Sequence, residues 1–179
     1  KFCPSCNSPV HREEGESAIR CDNPDCPAQL LRVLIHFCSR DAMDIEGLGP
    51  AVLEQLLNAN LIKNIVDLYT LDYEEVAKLE RTGEKTVQNL KNAIENSKGN
   101  DLSKFLFALG IRYVGNKTAK ILSNNYKTID NLINTSYEEL ITIKDIGERI
   151  AKSIVDYFNT NENIEMINKL KEYEINMNY

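Results

Sequence analysis

Val114-Gly115-Asn116-Lys117-Thr118-Ala119-Lys120-Ile121-Leu122 decides the fold, because its pattern occurs four times. A hydrophobic residue, a glycine and an amphipathic run recur at Leu48-Gly49, Thr82-Gly83, Val114-Gly115 and Ile146-Gly147, with Thr82 the weak member. The four glycines stand 34, 32 and 32 residues apart. Four residues beyond them come Leu53, Val87, Ala119 and Ala151, and seven beyond come Leu56, Leu90, Leu122 and Ile154. Positions four and seven share one helix face, so each glycine opens a helix with an apolar stripe.

A longer period lies over the short one. Asp67-Leu68 returns as Asn131-Leu132, Tyr73-Glu74-Glu75-Val76 as Tyr137-Glu138-Glu139-Leu140 and Gly83 as Gly147, all at a shift of 64. The unit is a pair of helical hairpins, and the pair is duplicated. Helices are expected over about 50–60, 65–70, 73–79, 84–97, 102–109, 116–125, 129–133, 137–142, 148–158 and 162–173. Beyond Cys38 no apolar–polar alternation marks a strand. Pro50 fits a first helical turn, where its missing N–H costs nothing. Ser97-Lys98-Gly99-Asn100-Asp101 divides the two pairs.

All five cysteines lie ahead of this repeat. Cys3-Pro4-Ser5-Cys6 and Cys21…Cys26 form two close pairs joined by a fourteen-residue loop. That spacing lets two knuckles converge on a tetrahedron, the arrangement of a four-thiolate zinc site. With four thiolates no coordination position stays open, so one structural Zn2+ is expected. Iron in a sulfur-only site and metal-free thiols are the alternatives. Clustered cysteines without an export signal favour metal over a disulfide scaffold. Cys38, in an apolar stretch, reads as a buried inert thiol. His11 and His36 receive no role, His36 reading as a helix residue at a domain junction.

A glycine ahead of a helix allows a sharp turn and close approach of another molecule. The helix's first N–H groups lack internal partners, and its dipole adds positive charge, so the mouth suits a phosphate oxygen. Two residues past the glycines stand Ala51, Lys85, Lys117 and Arg149, basic in three cases of four. The expected DNA-binding set is Gly47, Gly49, Gly83, Lys85, Gly115, Lys117, Lys120, Gly147, Arg149 and Lys152. Such contacts are blind to base sequence. The charge balance opposes this. The chain carries a net charge of −6, and residues 39–179 hold 17 basic and 22 acidic side chains. Screening beyond roughly 8 Å makes the local charge near each phosphate decisive. Asp101, Glu138, Glu139 and Glu162 would have to face elsewhere, and weak binding with a modest salt slope is expected.

Several longer stretches resemble the NAD-dependent DNA ligases of bacteria. They are Cys3-Pro4-Ser5-Cys6, Arg20-Cys21-Asp22-Asn23-Pro24-Asp25-Cys26-Pro27-Ala28-Gln29, Phe37-Cys38-Ser39-Arg40-Asp41-Ala42-Met43-Asp44-Ile45-Glu46-Gly47-Leu48-Gly49 and Phe107-Ala108-Leu109-Gly110-Ile111-Arg112-Tyr113-Val114-Gly115. The resemblance spans essentially the whole chain. It implies a mainly α fold: a four-cysteine zinc-finger module over 1–38, then helix-hairpin-helix pairs over 39–100 and 101–179. It also implies a parent enzyme that seals nicks in duplex DNA during replication, repair and recombination, using NAD+ and Mg2+ through a nucleotidyltransferase domain and an oligonucleotide-binding fold. No Lys-x-Asp-Gly motif of that chemistry occurs here, so no catalytic residue is assigned and the fragment is expected to be inactive alone. The implied partners are nicked duplex DNA and those other domains, with a bacterial cytoplasmic, nucleoid-associated location and no membrane. The competing readings are a module of another repair protein, such as a nuclease or helicase subunit, and a protein-interaction scaffold.

One departure from the family pattern stands out. Only the first hairpin keeps glycine at both ends of its turn, Gly47 and Gly49; the earlier position is Arg81, Tyr113 and Asp145 in the others. Arg81 could itself reach a phosphate. Asp145 would repel one if it pointed inward.

Overall fold

A computed structural model describes all 179 residues. The chain opens with two short antiparallel strands, β1 (Val10–Arg12) and β2 (Ile19–Cys21), in register Val10↔Cys21, His11↔Arg20 and Arg12↔Ile19. The turn between them carries three glutamates, Glu13, Glu14 and Glu16, around Gly15 at φ +84°. The regular elements after β2 are all helices: α1 (Pro27–Cys38), α2 (Pro50–Asn58), a 3-10 turn (Val66–Tyr69), α3 (Tyr73–Ala77), α4 (Glu84–Ser97), α5 (Leu102–Ala108), α6 (Asn116–Tyr126), α7 (Ile129–Ile133), α8 (Tyr137–Leu140), α9 (Glu148–Phe158) and α10 (Asn161–Glu172). No helix is long and apolar enough to cross a membrane.

The mainly α architecture and its duplication stand as read from the sequence. Two hairpins per pair emerge, α1–α2 with α3–α4 and α5–α6 with α8–α9. The helix α1 is an addition to the sequence reading, which placed only His36 at a helical junction. It begins at the fourth cysteine, with Pro27 in its first turn, and buries Leu34, Phe37 and Cys38. It packs on α2 and α5, so one continuous helix leads from the cysteine cluster into the hairpin core.

That core is one cluster of 36 buried residues, drawn from both pairs and beginning at Leu34. The stripe residues Leu53, Leu56, Leu90, Ala119, Leu122, Ala151 and Ile154 all belong to it, and the half-buried Val87 packs against it. Before Leu34 only the half-buried Leu31, also on α1, packs against it. The strand pair therefore lacks an apolar core of its own, and so small a segment depends on another source of folding free energy. Leu68 and Leu132, the 64-residue counterparts, are both fully buried.

Polar backbone contacts tie the pairs together. The Asn176 amide donates to the Lys98 carbonyl at 2.8 Å, and Asn176 Nδ2 donates to the Asn100 carbonyl at 3.1 Å. The tail returns over the second pair, where the Leu102 and Ile129 amides donate to the Asn178 and Met177 carbonyls. His36 lies across the seam, its Nε2 2.6 Å from the Phe107 carbonyl and its ring against Gly110.

Candidate zinc centre and nucleic-acid interface

The Sγ atoms of Cys3, Cys6, Cys21 and Cys26 all lie within 4.8 Å of one another, with Cys3–Cys26 at 3.8 Å and Cys6–Cys21 at 3.5 Å. Zinc–sulfur bonds of ~2.3 Å give a tetrahedral sulfur–sulfur edge of ~3.8 Å, so the four residues fit the ion. Local turns create this convergence. Asn7 takes φ +59° while the Cys3 amide donates to the Ser8 carbonyl, closing the first knuckle. In the second, the Asn23 side chain accepts from the Asp25 amide at 3.0 Å. Gln29 on α1 donates to the Cys21 carbonyl at 2.7 Å, fixing the knuckle to the helix.

The four thiols are electrostatically unequal. The Ser8 hydroxyl and amide and the Asn23 side chain hold Cys6 down at about 6. Against the favourable Asn23 amide, burial and the Cys6 and Cys3 sulfurs push Cys21 up to about 12. The cluster accommodates a first negative charge and resists the next ones. A cation at its centre reverses that resistance, because every thiolate then faces positive charge. The cluster is consistent with a structural zinc. Cys38 stands apart, its thiol pushed up to about 12 by burial alone, as an inert core residue should be.

Each of the four hairpins repeats one backbone geometry. Gly47, Arg81, Tyr113 and Asp145 have φ of +93°, +62°, +67° and +71°. The next residue, Leu48, Thr82, Val114 or Ile146, donates its amide to the carbonyl three residues earlier, at Ile45, Leu79, Ile111 or Ile143. Positive φ at the third residue of such a turn is the type II pattern. The departures at Arg81, Tyr113 and Asp145 thus keep the glycine conformation while forgoing glycine, at about 1–2 kcal/mol each. Leu48, Val114 and Ile146 are buried, and the glycine that follows is exposed in all four hairpins.

Those second glycines, Gly49, Gly83, Gly115 and Gly147, are the N-caps of α2, α4, α6 and α9. Their φ values, between −81° and −102°, are open to any residue, and a Cβ on any of them would meet nothing within 4 Å. No internal packing calls for glycine there. None of these four helices has a side-chain cap, whereas Asp72, Asp101, Thr128 and Ser136 cap α3, α5, α7 and α8. The free N–H groups and the missing side chains therefore coincide at the same four mouths. The acidic residues that had to face elsewhere are in part locally committed: Asp101 caps α5, and Glu139 accepts from the Thr135 hydroxyl.

All five basic residues of the expected set, Lys85, Lys117, Lys120, Arg149 and Lys152, are exposed. Four of them pair with no carboxylate; Lys117 stands 4.0 Å from Asp145. The structure brings the third and fourth mouths together reciprocally. Lys117 of the third faces Asp145 of the fourth, and Arg149 of the fourth lies over the Tyr113 ring of the third, 5.4 Å from its centroid. In the first pair, Gly47 and Arg81 line one groove between α2 and α4.

Sequence reasoning missed a second cluster beside the third mouth. Arg112 pairs with Glu13 and Glu16 of the β1–β2 turn, and the Tyr113 hydroxyl donates to Glu16 Oε1 at 2.7 Å. No sequence signal joins residues 97 positions apart; only the turn-position comparison singled out Tyr113, and only as a departure.

Three family models match this chain in the order of its modules. The NAD-dependent DNA ligase C4 zinc finger domain matches residues 2–28, a SAM-like helix-hairpin-helix tandem matches 39–96 and a helix-hairpin-helix motif matches 104–167. Curated proteins named DNA ligase align with nearly all of it. That of Pelotomaculum thermopropionicum is 52% identical over 174 residues, that of Thermoanaerobacter sp. 50% over 175 and that of Bacillus subtilis 48% over 177. These alignments take in 97–99% of this chain.

The chain belongs to the NAD-dependent DNA ligase family.

It spans about a quarter (26%) of the length of those ligases. The cysteine cluster lies within the ligase zinc-finger match, and the four glycine mouths lie within the two hairpin matches, consistent with DNA binding.

Proposed function

We propose that this chain is the duplex-gripping part of an NAD-dependent DNA ligase that seals nicks in replication, repair and recombination. Residues 1–38 form the zinc module, and residues 39–100 and 101–179 form the two hairpin pairs. The hairpins hold phosphates across the minor groove without reading bases. Gly49, Gly83, Gly115 and Gly147 admit the backbone oxygens, and Gly47 shapes the first turn. Lys85, Lys117, Lys120, Arg149 and Lys152 supply the charge. Zinc keeps the module folded and takes no part in chemistry. Nucleotidyl transfer with NAD+ and Mg2+ belongs to other parts of the parent enzyme, the nucleotidyltransferase domain and the oligonucleotide-binding fold, in the bacterial cytoplasm at the nucleoid.

One observation carries this reading. Four exposed helix mouths combine uncapped N–H groups with open space where a Cβ would stand, and three of them have basic residues beside the glycine. Such a mouth favours anions through the same partial charges that orient a helix dipole.

A fluorescence titration of labelled duplexes tests it. Two unrelated sequences, nicked and intact, should bind with similar affinity, and binding should weaken with added salt in proportion to the phosphates engaged. Absence of binding at low salt overturns the proposal and leaves the acidic chain as a protein-interaction scaffold.

A further inference from the structure

Tyr113 holds a left-handed conformation that the first hairpin assigns to glycine, and contacts from the β1–β2 turn and from α9 converge on it. Its hydroxyl donates to Glu16 of the β1–β2 turn. The Arg112 guanidinium lies 5.0 Å from its ring centroid, and the Arg149 guanidinium lies 5.4 Å from it. Glu16 is well anchored at the other end: its side chain is only 17% exposed, and it accepts from Tyr113 while pairing with Arg112 and Arg20. Tyr113 holds the Glu16 carboxyl below its ordinary range, and Glu16 in turn raises the Tyr113 phenol, as a shared hydrogen bond requires. Arg112 is fixed from behind, because Ser153 on α9 donates to its carbonyl at 2.6 Å.

We propose that Tyr113 is a positioning residue that joins the zinc module to the third and fourth helix mouths: Glu16 fixes its hydroxyl, and its ring fixes Arg149. A guanidinium stacked on an aromatic face keeps its edge donors free. Arg149 pairs with no carboxylate, so those donors point at whatever anion occupies the mouth. The zinc module then acts at a distance. Its folding, which the metal supports, presents Glu16 to Tyr113, and the third mouth keeps its geometry only while that contact lasts. The role of Arg149 rests on the DNA-binding reading; the Glu16–Tyr113 connection does not.

Two measurements on the 179-residue chain decide the matter. In hydrogen exchange followed by mass spectrometry, Glu16→Ala with zinc fully bound should raise exchange several-fold at 113–117 and 148–150, and chelating zinc from the unaltered chain should do the same. Unchanged exchange at those segments in Glu16→Ala overturns the connection. In duplex titrations at low salt, Arg149→Ala should weaken binding about five-fold in the unaltered background and less than two-fold beside Tyr113→Leu. Tyr113→Phe, which keeps the ring but loses the hydroxyl bond to Glu16, should give an intermediate Arg149 effect. An Arg149 effect of equal size in all three backgrounds overturns the positioning role, since general destabilisation would not depend on Arg149. If the unaltered chain binds no duplex, the DNA reading fails together with the role of Arg149, and the exchange result alone judges the link to the zinc module.

Discussion

The Lys117 ammonium stands 4.0 Å from the carboxylate of Asp145, a residue from the neighbouring hairpin. Both side chains are at least half exposed, so the pair adds little to stability. Its effect falls on the surface. Asp145 occupies the left-handed position of the fourth turn and lowers the positive charge of the third mouth. Asp145→Asn should leave the unfolding midpoint unchanged and strengthen duplex binding several-fold at low salt, steepening the salt slope by about one ion. Equal affinity in the two proteins would show that Lys117 faces no phosphate.

The N-cap glycines allow a test in which stability and binding move in opposite directions. Serine at an N-cap accepts a first-turn N–H and is preferred over glycine by a few tenths of a kcal/mol. Gly115→Ser and Gly147→Ser should therefore hold or slightly raise thermal stability, since a Cβ meets nothing there. The same hydroxyl occupies the amides that a phosphate would use, so duplex affinity should fall about ten-fold for the double variant. Calorimetry and titration on one preparation check both halves.

Gly47 behaves differently. Its φ of +93° strains any side chain, although a Cβ would find only Leu90 Cδ1 at 3.8 Å. Gly47→Ala should cost about 1–2 kcal/mol through the backbone alone, measured by urea denaturation.

Metal removal should divide the molecule unevenly. The segment up to Cys26 contributes nothing to the 36-residue core, which begins at Leu34 in the second half of α1. Elemental analysis should find one zinc per chain. Chelation, or Cys21→Ser, should erase the ordered signals of residues 1–26 in NMR while keeping most helical circular dichroism. A metal-free chain with an intact strand pair would refute the site.

Asp101 gives a pH dependence of defined sign. It caps α5 by accepting from the Lys104 amide at 3.2 Å and the Ser103 hydroxyl at 2.6 Å. Partial burial pushes its carboxyl upward, but the bonds from Ser103 and Lys104 outweigh that and hold it below the ordinary 3.8. A depressed carboxyl contributes stability above its unfolded value and loses it as pH falls through the folded one. Asp101→Ala should cost about 1 kcal/mol at neutral pH, with the difference from the unaltered chain shrinking below pH ~4. A constant difference down to pH ~2 would mean the charge is irrelevant to the cap.

Much of the molecule was legible without coordinates, because the signals were local. Helix mouths announce themselves by a glycine followed by stripe residues at four and seven, as at Gly147, Ala151 and Ile154. The cysteine spacing likewise carries its chemistry in the gaps between ligands. The helix over Pro27–Cys38 was harder to see. Its start follows a cysteine knuckle, and its buried face of Leu34, Phe37 and Cys38 is defined only by α2 and α5.

The sequence by itself determined the repeat, the four-thiolate cluster and the family, since each depends on residues close in the chain or on a period. Tertiary structure decided the rest. It alone brought Glu16 to Tyr113 across 97 positions, set Lys117 and Arg149 reciprocally against the opposite turns, and revealed left-handed backbone at Arg81, Tyr113 and Asp145. Packing geometry determines those relationships, and a non-glycine side chain at positive φ leaves no mark in composition or periodicity.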